Sequence, residues 1–185
     1  GDGSGVLAGD WGAVFRVDVT QGFGDLYILH HDGLWGAGIW KYDGTPATTD
    51  QYLVDNRQIP FAAIGDDPNV LIIGAAGGHE IQASLVYGAG SIDAVELNPV
   101  TVGLLTGEFA EFSGNITSHP DVNYTQGDGR TYLARTDEAY DLIWFVAPDS
   151  YAASNAATAG AFVLSESYLY TEEMLETAYE HLTPG

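Results

Sequence analysis

The chain has 185 residues, enough for one domain of ordinary size with at most a small appended subdomain. It is 45% hydrophobic, so a core can form, yet 26 acidic residues face 5 basic ones, and a formal net charge of -21 repels phosphate backbones and anionic lipid surfaces. The absence of cysteine excludes disulfides and thiolate metal sites. Taken in chain order, the first dozen residues (GDGSGVLAGDWG) are rich in Gly and Asp and read as loop. Ala13–Val19, Gly24–His31 and Leu34–Tyr42 are rich in aromatic and β-branched residues, are separated by Gly-containing turns, and predict an antiparallel unit of two or three strands. Asp43–Asp50 reads as a polar loop, and Gln51–Ile64 as a short helix broken at Pro60.

From Asn69 the pattern changes. Val70–Gly74 (VLIIG) is an apolar run ended by glycine, as expected of a buried parallel strand, and Gly77–Tyr87 carries helical apolar spacing at Ile81, Leu85 and Val86. Ser91–Leu97 is the next strand, and Pro99 stands where a helix begins, continuing over Val100–Phe112. Val122–Gln126 is a third strand and Thr131–Ala134 the start of a third helix. Tyr140–Ala147 is a fourth strand, and Thr171–Leu182 a final helix with Thr171 as N-cap. Alternation at this spacing predicts an α/β fold: a Rossmann-like, doubly wound, mostly parallel sheet (residues 51–185) preceded by a loop and small antiparallel β unit (residues 1–50).

Three features on this frame point to a ligand. Gly74-Ala75-Ala76-Gly77-Gly78 lies between a buried strand and a helix, where small residues let a backbone approach a ligand beside unpaired N–H groups; tight strand–helix packing alone also uses such turns. Glu96, in VELNP, closes the second strand 22 residues after Gly74, the spacing at which a carboxylate accepts both hydroxyls of a ribose. The bland alternative is an exposed strand-end glutamate. Asp128, in Gly127-Asp128-Gly129 after the third strand, fits either an adenine amino group or an ordinary turn.

The order VLIIGAAGG, DAVELNP, GDGRTYL, YDLIWF and a last helix ending in TPG resembles the spermidine synthase family, within the Rossmann-like S-adenosylmethionine-dependent superfamily. The resemblance covers about residues 12 to 185. It implies an adenosyl ligand: S-adenosylmethionine or its decarboxylated or thioether relatives. Gly74 and Gly78 would line the turn, Glu96 would hold ribose and Asp128 would face adenine. Two departures bear on catalysis. Where the family has an Asp in the glycine motif this chain has Gly77. Where the family has its Asp-x-x-Asp-Pro general base this chain has Val146, with only Asp149 surviving as a catalytic carboxylate. A polyamine needs several carboxylates to hold it and one to deprotonate it, so spermidine synthesis is not expected.

Other residues rank below these. His30 and His31 sit on a strand and point to opposite faces, so they cannot chelate one ion together; no metal-ligand cluster stands out. His79 reads as a surface residue at a helix start, or as a contact to the ligand's sulfur end. Asp149, Ser150 and Tyr151, and the stretch 151–160 as a lid, flank the expected crevice. Trp35 and Trp40 suggest a homo-oligomer contact. Gly1 is not a methionine, which reads as a processed or trimmed chain, and a complete sheet needs a strand after Pro184-Gly185. A second class of function is therefore an inactive, exported subunit that reuses the fold and pairs through an open sheet edge. The scattered acidity fits a cytoplasm of high salt or an exported protein equally well, and no apolar run reaches the roughly 20 residues of a membrane-spanning helix.

Overall fold

The computed structural model describes residues 5–12, 15–146 and 169–184. An antiparallel sheet runs β1 (Val6–Trp11), β2 (Arg16–Gln21), β3 (Leu26–His31) and β4 (Leu34–Trp40), paired in that order. Short helical pieces follow: α1 (Pro46–Thr49), a 3-10 turn (Asp50–Leu53) and α2 (Gln58–Phe61). Then come β5 (Asn69–Ile73), α3 (His79–Val86), β6 (Ser91–Glu96), α4 (Pro99–Thr106), β7 (Val122–Gln126), α5 (Gly129–Leu133), β8 (Leu142–Phe145) and α6 (Glu172–Glu180). The four later strands form a parallel sheet in the order β7-β6-β5-β8, the Rossmann-like arrangement expected.

The sheet is buried on both faces. Val70, Leu71 and Ile72 have no exposed surface, and alternate along β5 between two cores. One face packs Val70 and Ile72 with Ile81 of α3, Leu105 of α4 and the inner residues Val17, Val19, Leu29 and Ile39 of the antiparallel sheet. The other packs Leu71 and Ile73 with Leu133 of α5 and Met174 and Ala178 of α6. Each such buried side chain contributes about 1.5–3 kcal/mol of apolar transfer. Thr171 caps α6 as expected, accepting from the Met174 N–H at 3.3 Å.

Three expectations change. The glycine-rich opening is not loop throughout: Val6–Trp11 forms β1, mostly exposed, ordered by pairing with β2 rather than by its own composition. The polar loop at Asp43–Asp50 contains α1, whose Pro46 takes the favoured first-turn position. The break in 51–64 falls between the 3-10 turn and α2, not at Pro60, which sits within the first turn of α2 where its missing N–H costs nothing. Beyond β8, Tyr140 forms a parallel bridge to Leu182, so its edge is paired at that one point among the described residues. No helix among the described residues is long and apolar enough to cross a membrane.

Candidate functional site

Because β6 and β7 lie on one side of β5 and β8 on the other, the chain reverses direction at β5, and a crevice opens at the carboxyl ends of these strands. A cavity of about 460 Å³ occupies that place, roofed by the antiparallel sheet, and its size suits a small-molecule ligand.

Its floor is the glycine turn. The N–H groups of Gly74 and Ala75 both donate to the Val95 carbonyl, and Gly78 closes the turn with a bond to the Ala75 carbonyl at 2.8 Å. Gly78 adopts φ +82° as the N-cap of α3, a conformation that costs little only for glycine. It packs on Ile116 and Leu105 and does not line the cavity, whereas Gly74 and Gly77 do. At Gly77 the chain passes so close to β4 that a Cβ would run into the Gly38 carbonyl. An acidic side chain at this position, which the resemblance led one to look for, therefore has no room here.

Glu96 is not the exposed strand-end glutamate of the bland reading; it is 7% exposed. Its Oε2 accepts the Ala76 N–H at 2.8 Å and its Oε1 the Asn98 N–H at 2.7 Å. Ala76 has φ +42°, unfavourable for a residue with a side chain, so the carboxylate pins the strained point of the turn. Burial pushes the Glu96 carboxyl above its ordinary pKa, against the backbone N–H bonds that favour the ionised form. A carboxylate has about four acceptor sites, so this anchoring does not exhaust it. Asp128 also lines the cavity, and its Oδ1 caps α5 through the Thr131 N–H at 2.7 Å. Gly74, Glu96 and Asp128 thus meet at one crevice, as their spacing predicts. Asp149, Ser150, Tyr151 and the stretch 151–160 lie outside the described residues.

The roof was not legible. His31, Trp35 and Trp40 of the antiparallel sheet and Phe15, just before β2, line the same cavity as His79. Trp35 and Trp40 are both part of the crevice wall, and Trp35 keeps 44% of its surface exposed. A bulge between β3 and β4 leaves Gly36 under the His31 ring, turning that imidazole inward against Phe15, ring centroids 4.2 Å apart. His30 takes a different partner, sharing a 2.8 Å hydrogen bond with Thr20 Oγ1.

His79 is no surface residue. It packs between Trp40 and Tyr52, and its Nε2 is buried without a hydrogen-bond partner. Burial lowers the pKa of both His31 and His79 to about 4. Beside them Arg57 donates to Glu80 at 2.7 Å and to Asp55 at 3.0 Å. Tyr52 donates to Gln82 Oε1 and Gln82 donates to the Trp40 carbonyl, tying α3 to β4. The sequence signal for this group was the polar run His79-Glu80 and Gln82 at the start of an otherwise apolar helix.

Searched against known families, the chain matches no family model. It is 29% identical over 104 residues to a polyamine aminopropyltransferase of Korarchaeum cryptofilum, covering 55% of this chain and 32% of that one. A spermidine synthase solved in complex with the transition state analogue AdoDATO superposes with a TM-score of 0.69 at 17% identity, covering 96% of this chain and 55% of that one. The chain is spermidine synthase-like in fold. The spermidine synthase of Thermotoga maritima gives a TM-score of 0.65 at 14% identity (96% and 53% covered), and a probable spermidine synthase of Corynebacterium glutamicum 0.59 at 18% (97% and 61%). This spermidine synthase-like chain spans about a third of the curated relative it matches and just over half of these solved structures.

Proposed function

We propose that the crevice binds S-adenosylmethionine or a relative of it, decarboxylated or thioether, with the adenosyl part over the glycine turn. The observation that carries this is the buried Glu96 carboxylate, held by one main-chain N–H on each oxygen at the end of β6 and still facing the cavity. A carboxylate so fixed presents a rigid acceptor pair to a vicinal diol. Gly74 lets the ligand approach the turn and Asp128 receives the adenine amino group. Gly78 turns the chain so that this can happen. The solved spermidine synthase neighbour with AdoDATO supports the adenosyl class.

If a group is transferred, Asp149 is the carboxylate left to accept the proton. Val146 lines the cavity where the family's base would stand, so the proposed activity is a transfer other than aminopropylation of a polyamine. Calorimetric titration with S-adenosylmethionine, methylthioadenosine and decarboxylated S-adenosylmethionine tests the reading. Saturable binding of at least one supports it, and no heat at millimolar concentration of all three ends it.

A further inference from the structure

The crevice has a charged end that the adenosyl reading leaves unused. Among the described residues that line it, Arg57 is the formal cation, and Glu80 stands beside it on the first turn of α3. Arg57 Nε donates to Glu80 Oε1 at 2.7 Å, and its Nη1 donates to both oxygens of Asp55, at 3.0 and 3.2 Å. One nitrogen and one oxygen are left over: Arg57 Nη2 and Glu80 Oε2 make no hydrogen bond among the described residues. Neither is sealed in, since the sealed polar atoms without a partner lie elsewhere, His79 Nε2 and Asn98 Nδ2 among them. Arg57 keeps 28% of its side-chain surface accessible. The wall of the crevice thus offers a guanidinium N–H pair next to a carboxylate oxygen, the two residues joined by the Nε–Oε1 bond.

Their place follows from the turn. Glu96 holds the Ala76 N–H, Gly77 has no side chain, and α3 begins at His79, so Glu80 lies just past the turn that Glu96 anchors. A ligand with its ribose at Glu96 and its 5′ end across the turn brings whatever its sulfur carries toward Glu80 and Arg57. One positive charge there faces two negative ones, Asp55 and Glu80. A tail with a carboxylate alone would add a third anion to the group. A tail with an ammonium alone would satisfy Oε2 and leave Nη2 to water. A tail with both on one carbon satisfies both atoms and leaves the net charge of the group unchanged.

We infer that Arg57 and Glu80 bind the α-amino acid end of the ligand, its carboxylate accepting from Arg57 Nη2 and its ammonium donating to Glu80 Oε2. The crevice then selects S-adenosylmethionine over the decarboxylated form. The inference rests on the adenosyl reading above and adds which adenosyl ligand is taken. The positive sulfur of that ligand suits a crevice whose other lining carboxylates, among the described residues, are Glu96 and Asp128.

The test titrates the full chain calorimetrically with two pairs of probes. S-adenosylhomocysteine and methylthioadenosine share a neutral sulfur and differ in the amino acid tail; S-adenosylmethionine and its decarboxylated form differ in the carboxylate. The first member of each pair should bind at least tenfold more tightly than the second. Arg57→Gln should erase both preferences and leave methylthioadenosine affinity within about twofold. In case that variant folds poorly, Arg57→Lys keeps the charge without the forked donors and should narrow both preferences. Equal binding within either pair overturns the inference, and methylthioadenosine binding then still spares the adenosyl reading. Preferences that persist undiminished in both variants overturn the assignment to Arg57. No binding of any of the four probes ends the adenosyl reading, and the inference with it.

Discussion

The two walls of one cavity are made in opposite ways. The floor, at the ends of β5, β6 and β7, is built from main chain and carboxylates: the turn at Gly74, the anchored Glu96 and the capping Asp128. The roof is built from side chains of a separate sheet, Trp35, Trp40 and His31, with few polar atoms on offer. Main chain recognises what every nucleoside shares, while side chains recognise what differs between ligands. The floor should therefore be intolerant of substitution in stability as well as in binding, and the roof should tolerate change at the expense of selectivity.

The most severe test lies where the walls touch. Gly77→Asp, which returns the family's acid, should lower stability by about 3 kcal/mol, because its Cβ meets the Gly38 carbonyl rather than a flexible side chain. Urea unfolding measures this. An unchanged midpoint for Gly77→Asp would show that floor and roof are not in contact.

Next comes Glu96→Gln. The amide keeps one acceptor, so either the Ala76 or the Asn98 N–H loses its partner, and stability should fall by about 2 kcal/mol. Affinity for methylthioadenosine should fall by about 1–3 kcal/mol as charge-assisted bonds become neutral ones. The folded-state pKa of Glu96 is raised, so its contribution to stability is greatest below the ordinary carboxylate range. It declines as pH rises through the folded value, and the variant should lack that decline. A variant as stable as the wild type with unchanged affinity would reduce Glu96 to a bystander.

The roof gives a smaller effect with its own pH window. His31 and His79 have folded-state pKa values of about 4, below the ordinary 6.5, so the unfolded chain takes up protons first as pH falls. Their stabilising effect is complete above about pH 6.5 and is lost progressively toward pH 4, by on the order of 1–2 kcal/mol for each. Urea midpoints between pH 7 and 4 should show this slope, and His79→Phe should flatten it by its share. A slope that survives in His79→Phe unaltered would contradict the burial of that ring.

Smallest is Asp128→Asn. Asparagine caps a helix as well as aspartate does, so stability should change by no more than about 0.5 kcal/mol, while Asp128→Ala should lose about 1 kcal/mol. Thermal denaturation of the pair separates the cap from any ligand role, which a methylthioadenosine titration of Asp128→Asn then reads alone.

The difference between the walls also explains what was legible in the chain. β5, β6 and β7 announce themselves through local runs such as VLIIG. The floor residues follow them directly, because a parallel strand and the turn after it are consecutive in sequence. The roof depends on which sheet covers which, and neither Trp40 nor His31 carries a mark that says it lines the crevice. β1 was illegible for a related reason: Val6–Trp11 is held by a partner strand, against the grain of its glycine-rich surroundings. The spacing put Glu96 at the end of β6, but its burial was not readable, since its tie to Ala76 depends on a turn 20 residues earlier.

The contact between Gly77 and the Gly38 carbonyl also bears on how such a chain can diverge. A side chain cannot be placed at 77 until β4 has shifted, and β4 is held by the Gln82 bond to the Trp40 carbonyl and by a bulge that seats His31 over Gly36. Several positions would have to change together, each harmful alone. The packing of β4 on the turn thus holds position 77 to a residue without a side chain.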